Sequence, residues 1–289
     1  MATNTTIHEI EVEDREYVRH GDTPLLARLF KPRGRGPFPI MVEVHGGAWV
    51  NGNRFNGEEA NKALAKTGVI VVALDFRVPP EAPYPTSLAD IHYGIRWCKT
   101  HAEEWNGRAD RIGAMGTSSG AHQAMLLGIQ HQNSRYGALL SPPSSVPVDA
   151  TLGCIILCSP VIDPLGRYHY AKGLRGDCTP PEGFAERVVP MHNQYWQTEE
   201  AMAEGDPLRI LDRGDYITLP PVFLLARMYE ESHPLPDREK FIKKYTEAGG
   251  HLDVTIFEGT NDGLFSDPSS SIAKKALQQM RSFINEHIE

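Results

Sequence analysis

The sequence is poor in features that mark several classes of protein. It has four cysteines in 289 residues, Cys98, Cys154, Cys158 and Cys178. That is too few and too scattered for a disulfide framework. Cys154 and Cys158 share the apolar run GCIILCSP at a spacing that fits no metal knuckle, so buried free thiols are expected. Positive charge is in deficit, with 29 Lys and Arg against 37 Asp and Glu and a formal net charge of −8. This argues against nucleic acid and anionic membranes as partners. No apolar run is long enough to cross a bilayer. The first stretch, MATNTTIHEIEVEDREY, is acidic and lacks an apolar signal core. A reduced, cytoplasmic protein is the expectation. Repeats and low-complexity tracts are also lacking. Hydrophobic residues are plentiful, 40% against 23% charged, which permits a sizeable core and excludes disorder as the ground state. The length suits one α/β sheet with an added cap.

Short β-branched or apolar runs alternate with helical patterns. PIMVEV (39–44), VIVVALDF (69–76), RIGAMG (111–116), CIILCSP (154–160), PVFLLA (221–226) and LDVTIFEG (252–259) read as strands. Helices are expected over EEANKALAKTG with a stop at Gly68, over 86–104, 121–130 and 269–287, and over DREKFIKKYTEAGG. Such alternation predicts a mostly parallel sheet covered on both faces. Two stretches break it. Residues 6–31, within an N-terminal arm 1–37, read as two strands around His20-Gly21-Asp22. Residues 163–217 lie between two sheet strands, are rich in Pro, Gly and aromatics, and read as a cap over a site within a single domain, 1–289.

Gly116-Thr117-Ser118-Ser119-Gly120 fits G-x-S-x-G and stands between an apolar strand and an apolar helix. A nucleophile elbow needs that context: the glycines permit the tight turn, and the serine sits where a helix N-terminus favours a developing anion. The N–H of Ser119 is then one donor of an oxyanion hole. His45-Gly46-Gly47-Ala48-Trp49 follows another strand, and Gly46 and Gly47 can turn their N–H groups toward a substrate oxygen. His45 is expected beneath that loop in a structural role.

With these motifs in view, the chain resembles the hormone-sensitive-lipase-like branch of the α/β-hydrolases, which includes bacterial carboxylesterases and plant carboxylesterase-like proteins. The matching residues are HGGAW (45–49), DFRVPPEAPYPTSLAD (75–90), GTSSG (116–120), SPVIDP (159–164), and DPLRI followed by LPPVFLLA. The resemblance implies an α/β-hydrolase fold with an eight-stranded sheet and a helical cap, no cofactor, and acyl-type chemistry. A homodimer through an edge strand or the last helix is a further option that it brings.

In that family the acid follows the strand matching PVFLLA, which places Glu230 in the role, with Glu231 as its competitor. The family's histidine follows the last strand. Here that segment is Glu258-Gly259-Thr260-Asn261-Asp262-Gly263-Leu264-Phe265, and its glycines set Asp262 where histidine is expected. An aspartate, ordinarily near ~3.9, is a poor proton acceptor beside an imidazole near ~6.5. A triad of Ser118, Glu230 and Asp262 would pair two carboxylates, one of which would hold a proton. Among other histidines, His233 on the acid loop is the best internal candidate for the base, and His169 and His192 lie in the cap. His251 precedes the last strand, at the far end of the sheet, and His122 points into helix packing.

Three functions are compatible with these residues. One is hydrolysis of an ester, lactone or amide through Ser118, without metal, by a poor general esterase. Another is non-hydrolytic lyase, dehydratase or cyclase chemistry on the same scaffold. The third is ligand binding without turnover. The intact elbow favours an enzyme, the missing histidine favours the last two, and hydrolysis stays the leading expectation with the others as alternatives. Trp49, Tyr195, Trp196 and Phe265 are the candidate contacts to a small apolar or aromatic substrate.

Overall fold

A computed structural model describes residues 7–144, 147–215, 217–259, 265, 267 and 269–288. Eight strands form one sheet: β1 (Ile10–His20), β2 (Thr23–Pro32), β3 (Phe38–Val44), β4 (Ile70–Leu74), β5 (Gly107–Thr117), β6 (Ile155–Cys158), β7 (Val222–Arg227) and β8 (Leu252–Phe257). Their spatial order is β1-β2-β4-β3-β5-β6-β7-β8. The two strands expected in the N-terminal arm form an antiparallel hairpin, turning at Gly21 with φ +57°, and β2 docks antiparallel on β4. Every pairing from β4 to β8 is parallel.

The central strands are apolar on both sides because helices cover both sides. Val42, Val44, Leu157 and Leu224 face one way, toward α2 (Thr86–His101), α3 (Ser119–Ile129) and α8 (Leu235–Glu247). The alternate residues Met41, Met115, Ile156 and Phe223 face α1 (Glu58–Ala65) and α9 (Ser271–Ile288). The parallel strands all end on one side of the sheet, which is where loops of this architecture carry ligands.

Between β6 and β7 the chain makes four short helices, α4 (Pro164–Ala171), α5 (Phe184–Trp196), α6 (Glu199–Glu204) and α7 (Pro207–Arg213). Asp163, Thr198 and Asp206 cap α4, α6 and α7 by accepting backbone N–H bonds. A second small core holds this segment to the sheet, built on Trp49, Tyr195 and Trp196 at 1%, 0% and 2% exposure. Among the described residues no helix is long and apolar enough to cross a membrane.

Candidate active site

The β5–α3 turn is as tight as its glycines suggest. Ser118 adopts φ 54° and ψ −117°, a backbone state that ordinary residues avoid and that an elbow imposes. A Cβ on Gly120 would sit 2.0 Å from the carbonyl oxygen of Val44 and 2.5 Å from that of His45. Helix α3 therefore approaches the end of β3 more closely than any side chain allows. Changing Gly120 to alanine is expected to cost about 3 kcal/mol or more, as overpacking against rigid backbone does. A urea midpoint equal to that of the unmodified protein would contradict this.

The loop after β3 folds over the elbow. Gly47, at φ +123°, closes a turn in which its carbonyl accepts from the N–H groups of Val50 and Asn51, each at 3.1 Å. The Trp49 N–H donates to Ser119 Oγ at 3.1 Å and pins the loop to α3. Gly46 packs against the turn itself, where a Cβ would lie 2.9 Å from the Thr117 carbonyl and 3.5 Å from Ser118 Cβ. Gly46, Gly47 and Ser118 line one cavity of about 900 Å³. Ser119 heads α3, so its N–H has no acceptor within the helix.

The loop after β7 supplies the other half of the site. Glu230 Oε1 accepts from the Arg227 N–H at 2.7 Å and from the Ser159 hydroxyl at 2.5 Å. Glu230 Oε2 lies 3.3 Å from His233 Nδ1. His233 Nε2 in turn stands 3.1 Å from Ser118 Oγ. A local turn brings acid and imidazole together, with the His233 N–H donating to the Glu230 carbonyl at 3.1 Å. The cap steadies the turn: Arg167 Nε donates to the Ser232 carbonyl at 2.7 Å and Arg187 donates to the Ser232 hydroxyl at 3.1 Å.

Electrostatics follow from this packing. Burial pushes the Glu230 carboxyl up, but His233, the Ser159 hydroxyl and the Arg227 N–H outweigh it and hold it below the ordinary value. The imidazole of His233 is also lowered from its ordinary value. Burial is the main cause, the charges of Arg167 and Arg187 add to it, and Glu230 opposes it.

The structure brings together only part of the site expected from sequence. Ser118, Glu230, Gly46, Gly47 and Phe265 share the cavity wall, and His233 joins them. Glu231 lines it too, but the carboxylate beside His233 belongs to Glu230. Asp262 lies outside the described residues. The expected substrate contacts Trp49, Tyr195 and Trp196 are a correction, because they do not line this cavity. The loop turns Trp49, at φ +65°, under the cap, where its ring stacks on Tyr195 with centroids 5.6 Å apart. Its indole N–H donates to His122 Nδ1 at 3.2 Å, while His122 Nε2 bonds the Gly205 carbonyl at 2.7 Å. Both bonds fit a neutral ring, and burial lowers His122 to about 4.

Other histidines are engaged elsewhere. His45 is buried and stacked on Phe76. His192 is buried against Trp49 and Tyr168, and His169 pairs with Glu199 on the cap surface. The His251 carbonyl accepts from Val222 at the start of β7, at the opposite end of the sheet from the site. Sequence reasoning missed several cavity residues, among them Glu43 on β3 and Asn61 on α1. The signal for Glu43 was a lone charge in the run PIMVEV. Among the described residues no group of His, Cys, Asp and Glu is arranged to hold a metal ion.

A parallel sheet with this elbow at the carboxyl end of its fifth strand defines the α/β-hydrolase fold. Solved structures agree. An esterase from the archaeon Pyrobaculum calidifontis superposes with a TM-score of 0.74 at 19% identity, over 98% of this chain and 85% of that one. Esterase 2 of Thermogutta terrifontis, solved phosphonylated by sarin, gives 0.73 at 22% identity, over 95% and 94%. The family model described as BD-FAE matches residues 29–154. Esterase LipC of Mycobacterium tuberculosis is 27% identical over 236 residues, which make up 80% of this chain and 54% of that protein, so the chain spans about half the length of this relative. The chain has the α/β-hydrolase fold, and over the spans given it is similar to proteins named as esterases.

Proposed function

We propose that the chain is a carboxylic ester hydrolase acting on small molecules, with Ser118 as nucleophile, His233 as general base and acid, and Glu230 as the group that orients His233. One observation carries this reading: the unbroken line from Glu230 Oε2 through His233 to Ser118 Oγ, with steps of 3.3 and 3.1 Å. Glu230 beside Nδ1 selects the tautomer that leaves the Nε2 lone pair facing the serine hydroxyl. As Oγ attacks the ester carbonyl, Nε2 takes its proton. The N–H groups of Gly46, Gly47 and Ser119 stabilise the oxyanion, and a single such donor is worth about 3 kcal/mol. The imidazolium then protonates the departing alkoxide. Water, deprotonated by the same nitrogen, frees the acid from Ser118.

The reading in which the pocket binds without turnover drew its motive from a missing imidazole, and His233 beside Ser118 removes that motive. On this geometry the reading is of an esterase of ordinary competence, in place of the poor one expected with Asp262 as base. The esterase names of the relatives point the same way. The test is covalent labelling with an aryl phosphonate, followed by mass spectrometry of the intact chain. One adduct per chain on the unmodified protein, and none on Ser118→Ala, is the expected result. Labelling that survives in Ser118→Ala would refute the assignment of the nucleophile.

A further inference from the structure

The cavity extends from Ser118 along the face of the sheet covered by α1 and α9, and its wall includes Glu43, Asn61, Leu64, Met115, Leu277 and Met280. Glu43 is out of place by the chemistry of that layer. On β3 it alternates in phase with Met41 and lies in register with Ala73 of β4 and Met115 of β5, all apolar. It is 6% exposed, and among the described residues its Oε2 has no hydrogen-bond partner. Asn61, 2% exposed on α1, leaves Nδ2 without a partner among the described residues as well. Asn61 is the polar neighbour of Glu43 and pulls its carboxyl down, yet among the described residues no hydrogen bond of normal geometry satisfies either atom. Buried polar atoms are nearly always paired, because an unpaired one loses its hydration for nothing. Two such atoms stand in one cavity wall, where a group entering the cavity could complete them.

We propose that Glu43 and Asn61 form a polar subsite that binds a hydroxyl group of the substrate, so that the site selects hydroxylated esters over plain alkyl esters. This rests on Ser118 being the reacting centre. A hydroxyl suits both atoms, since it accepts from the Asn61 N–H and donates to Glu43. An ammonium cannot accept from Asn61, a carboxylate is repelled by Glu43, and an alkyl chain leaves both unpaired. Burial raises the Glu43 carboxyl to about 7, with Asn61 pulling it the other way. Near neutral pH it can therefore serve as acceptor or donor. Gly57, just before α1, keeps the place open, for a Cβ there would come 3.2 Å from Asn61 Nδ2 and 3.5 Å from Glu43 Oε1.

The experiment compares kcat/KM within pairs that differ by one hydroxyl, p-nitrophenyl butyrate against 3-hydroxybutyrate and ethyl benzoate against 2-hydroxyethyl benzoate. The pairs cover the acyl and alcohol sides in turn. The unmodified protein is expected to favour the hydroxylated member of one pair by about tenfold or more, since sites built to bond a hydroxyl reject analogues lacking it. Glu43→Leu abolishes that preference, and Glu43→Gln and Asn61→Ala each weaken it; these two carry the test if Glu43→Leu does not fold. No preference in either pair, or one that survives these changes, overturns the proposal. Calorimetry of butanamide and 4-hydroxybutanamide on Ser118→Ala reads the subsite without turnover. Selective binding there with no ester hydrolysis by the unmodified protein would keep the subsite and refute the hydrolase reading. Ester hydrolysis with no hydroxyl preference would do the reverse.

Discussion

Replacing His233 by alanine lowers kcat on ethyl butyrate by about 10⁶-fold, the loss seen when a serine triad loses its base. That corresponds to about 8 kcal/mol of transition-state stabilisation. The reason is geometric. Nε2 stands 3.1 Å from Ser118 Oγ, and Glu230 holds the other side of the ring. Without the ring the hydroxyl has no proton acceptor among the described residues, and the oxyanion donors are worth about 10³–10⁴ over water. The pH profile gives an independent check. His233 must be neutral to act, and its pKa lies below its ordinary 6.5 for the reasons of burial and nearby arginines. The acid limb of kcat/KM should therefore fall with a midpoint below 6.5, leaving the rate flat from pH 7 upward through neutrality. A midpoint above 7 would contradict the packing around the ring. Asp262→Asn is the decisive contrast. It should leave kcat close to that of the unmodified protein, because the base position is filled. If Asp262→Asn fell to the floor while His233→Ala stayed active, the aspartate would be the base after all.

That contrast marks where the sequence was legible. The elbow could be read because strand, turn and helix are contiguous, and each glycine has a local reason, as at Gly120 against the Val44 carbonyl. The parallel sheet could be read because β4 and β6 are short runs buried on both faces. The base was harder. Register against the family pointed past β8 to Asp262, with His233 on the acid loop as the best internal candidate among the histidines, and the imidazole found beside Ser118 Oγ is that of His233, three residues beyond the acid. Only the Glu230 to His233 turn, closed by a backbone bond and clamped from the cap by Arg167, makes that reach visible. Trp49 misled for a related reason. An aromatic beside a Gly-Gly loop reads as a pocket wall, but its positive φ and its partners Tyr195 and Trp196, distant in sequence, carry it into the cap core. Glu43 needed a helix from another part of the chain, α1, to show that a strand otherwise buried in apolar neighbours opens onto the cavity.

Replacing Glu230 by glutamine lowers kcat by about 10⁴-fold, or about 5 kcal/mol, although it changes one oxygen to an amide nitrogen. The amide oxygen can keep the bonds from the Arg227 N–H and the Ser159 hydroxyl, which hold Oε1 at 2.7 and 2.5 Å. The amide nitrogen then faces His233 Nδ1, where it donates instead of accepting. That forces the ring proton onto Nε2, so the nitrogen facing Ser118 carries a hydrogen and cannot take another. Glu230→Ala should be no milder, since it removes the orienting carboxylate and also loosens the turn that carries His233. Melting curves separate the two effects: the glutamine variant should melt near the unmodified protein, and the alanine variant below it. Glu231, exposed on the same loop, provides the control. Glu231→Gln should retain near-normal kcat, because the carboxylate oxygen at 3.3 Å from the imidazole belongs to Glu230. Loss of turnover in Glu231→Gln with Glu230→Gln still active would transfer the acid role to Glu231 and overturn the triad as assigned.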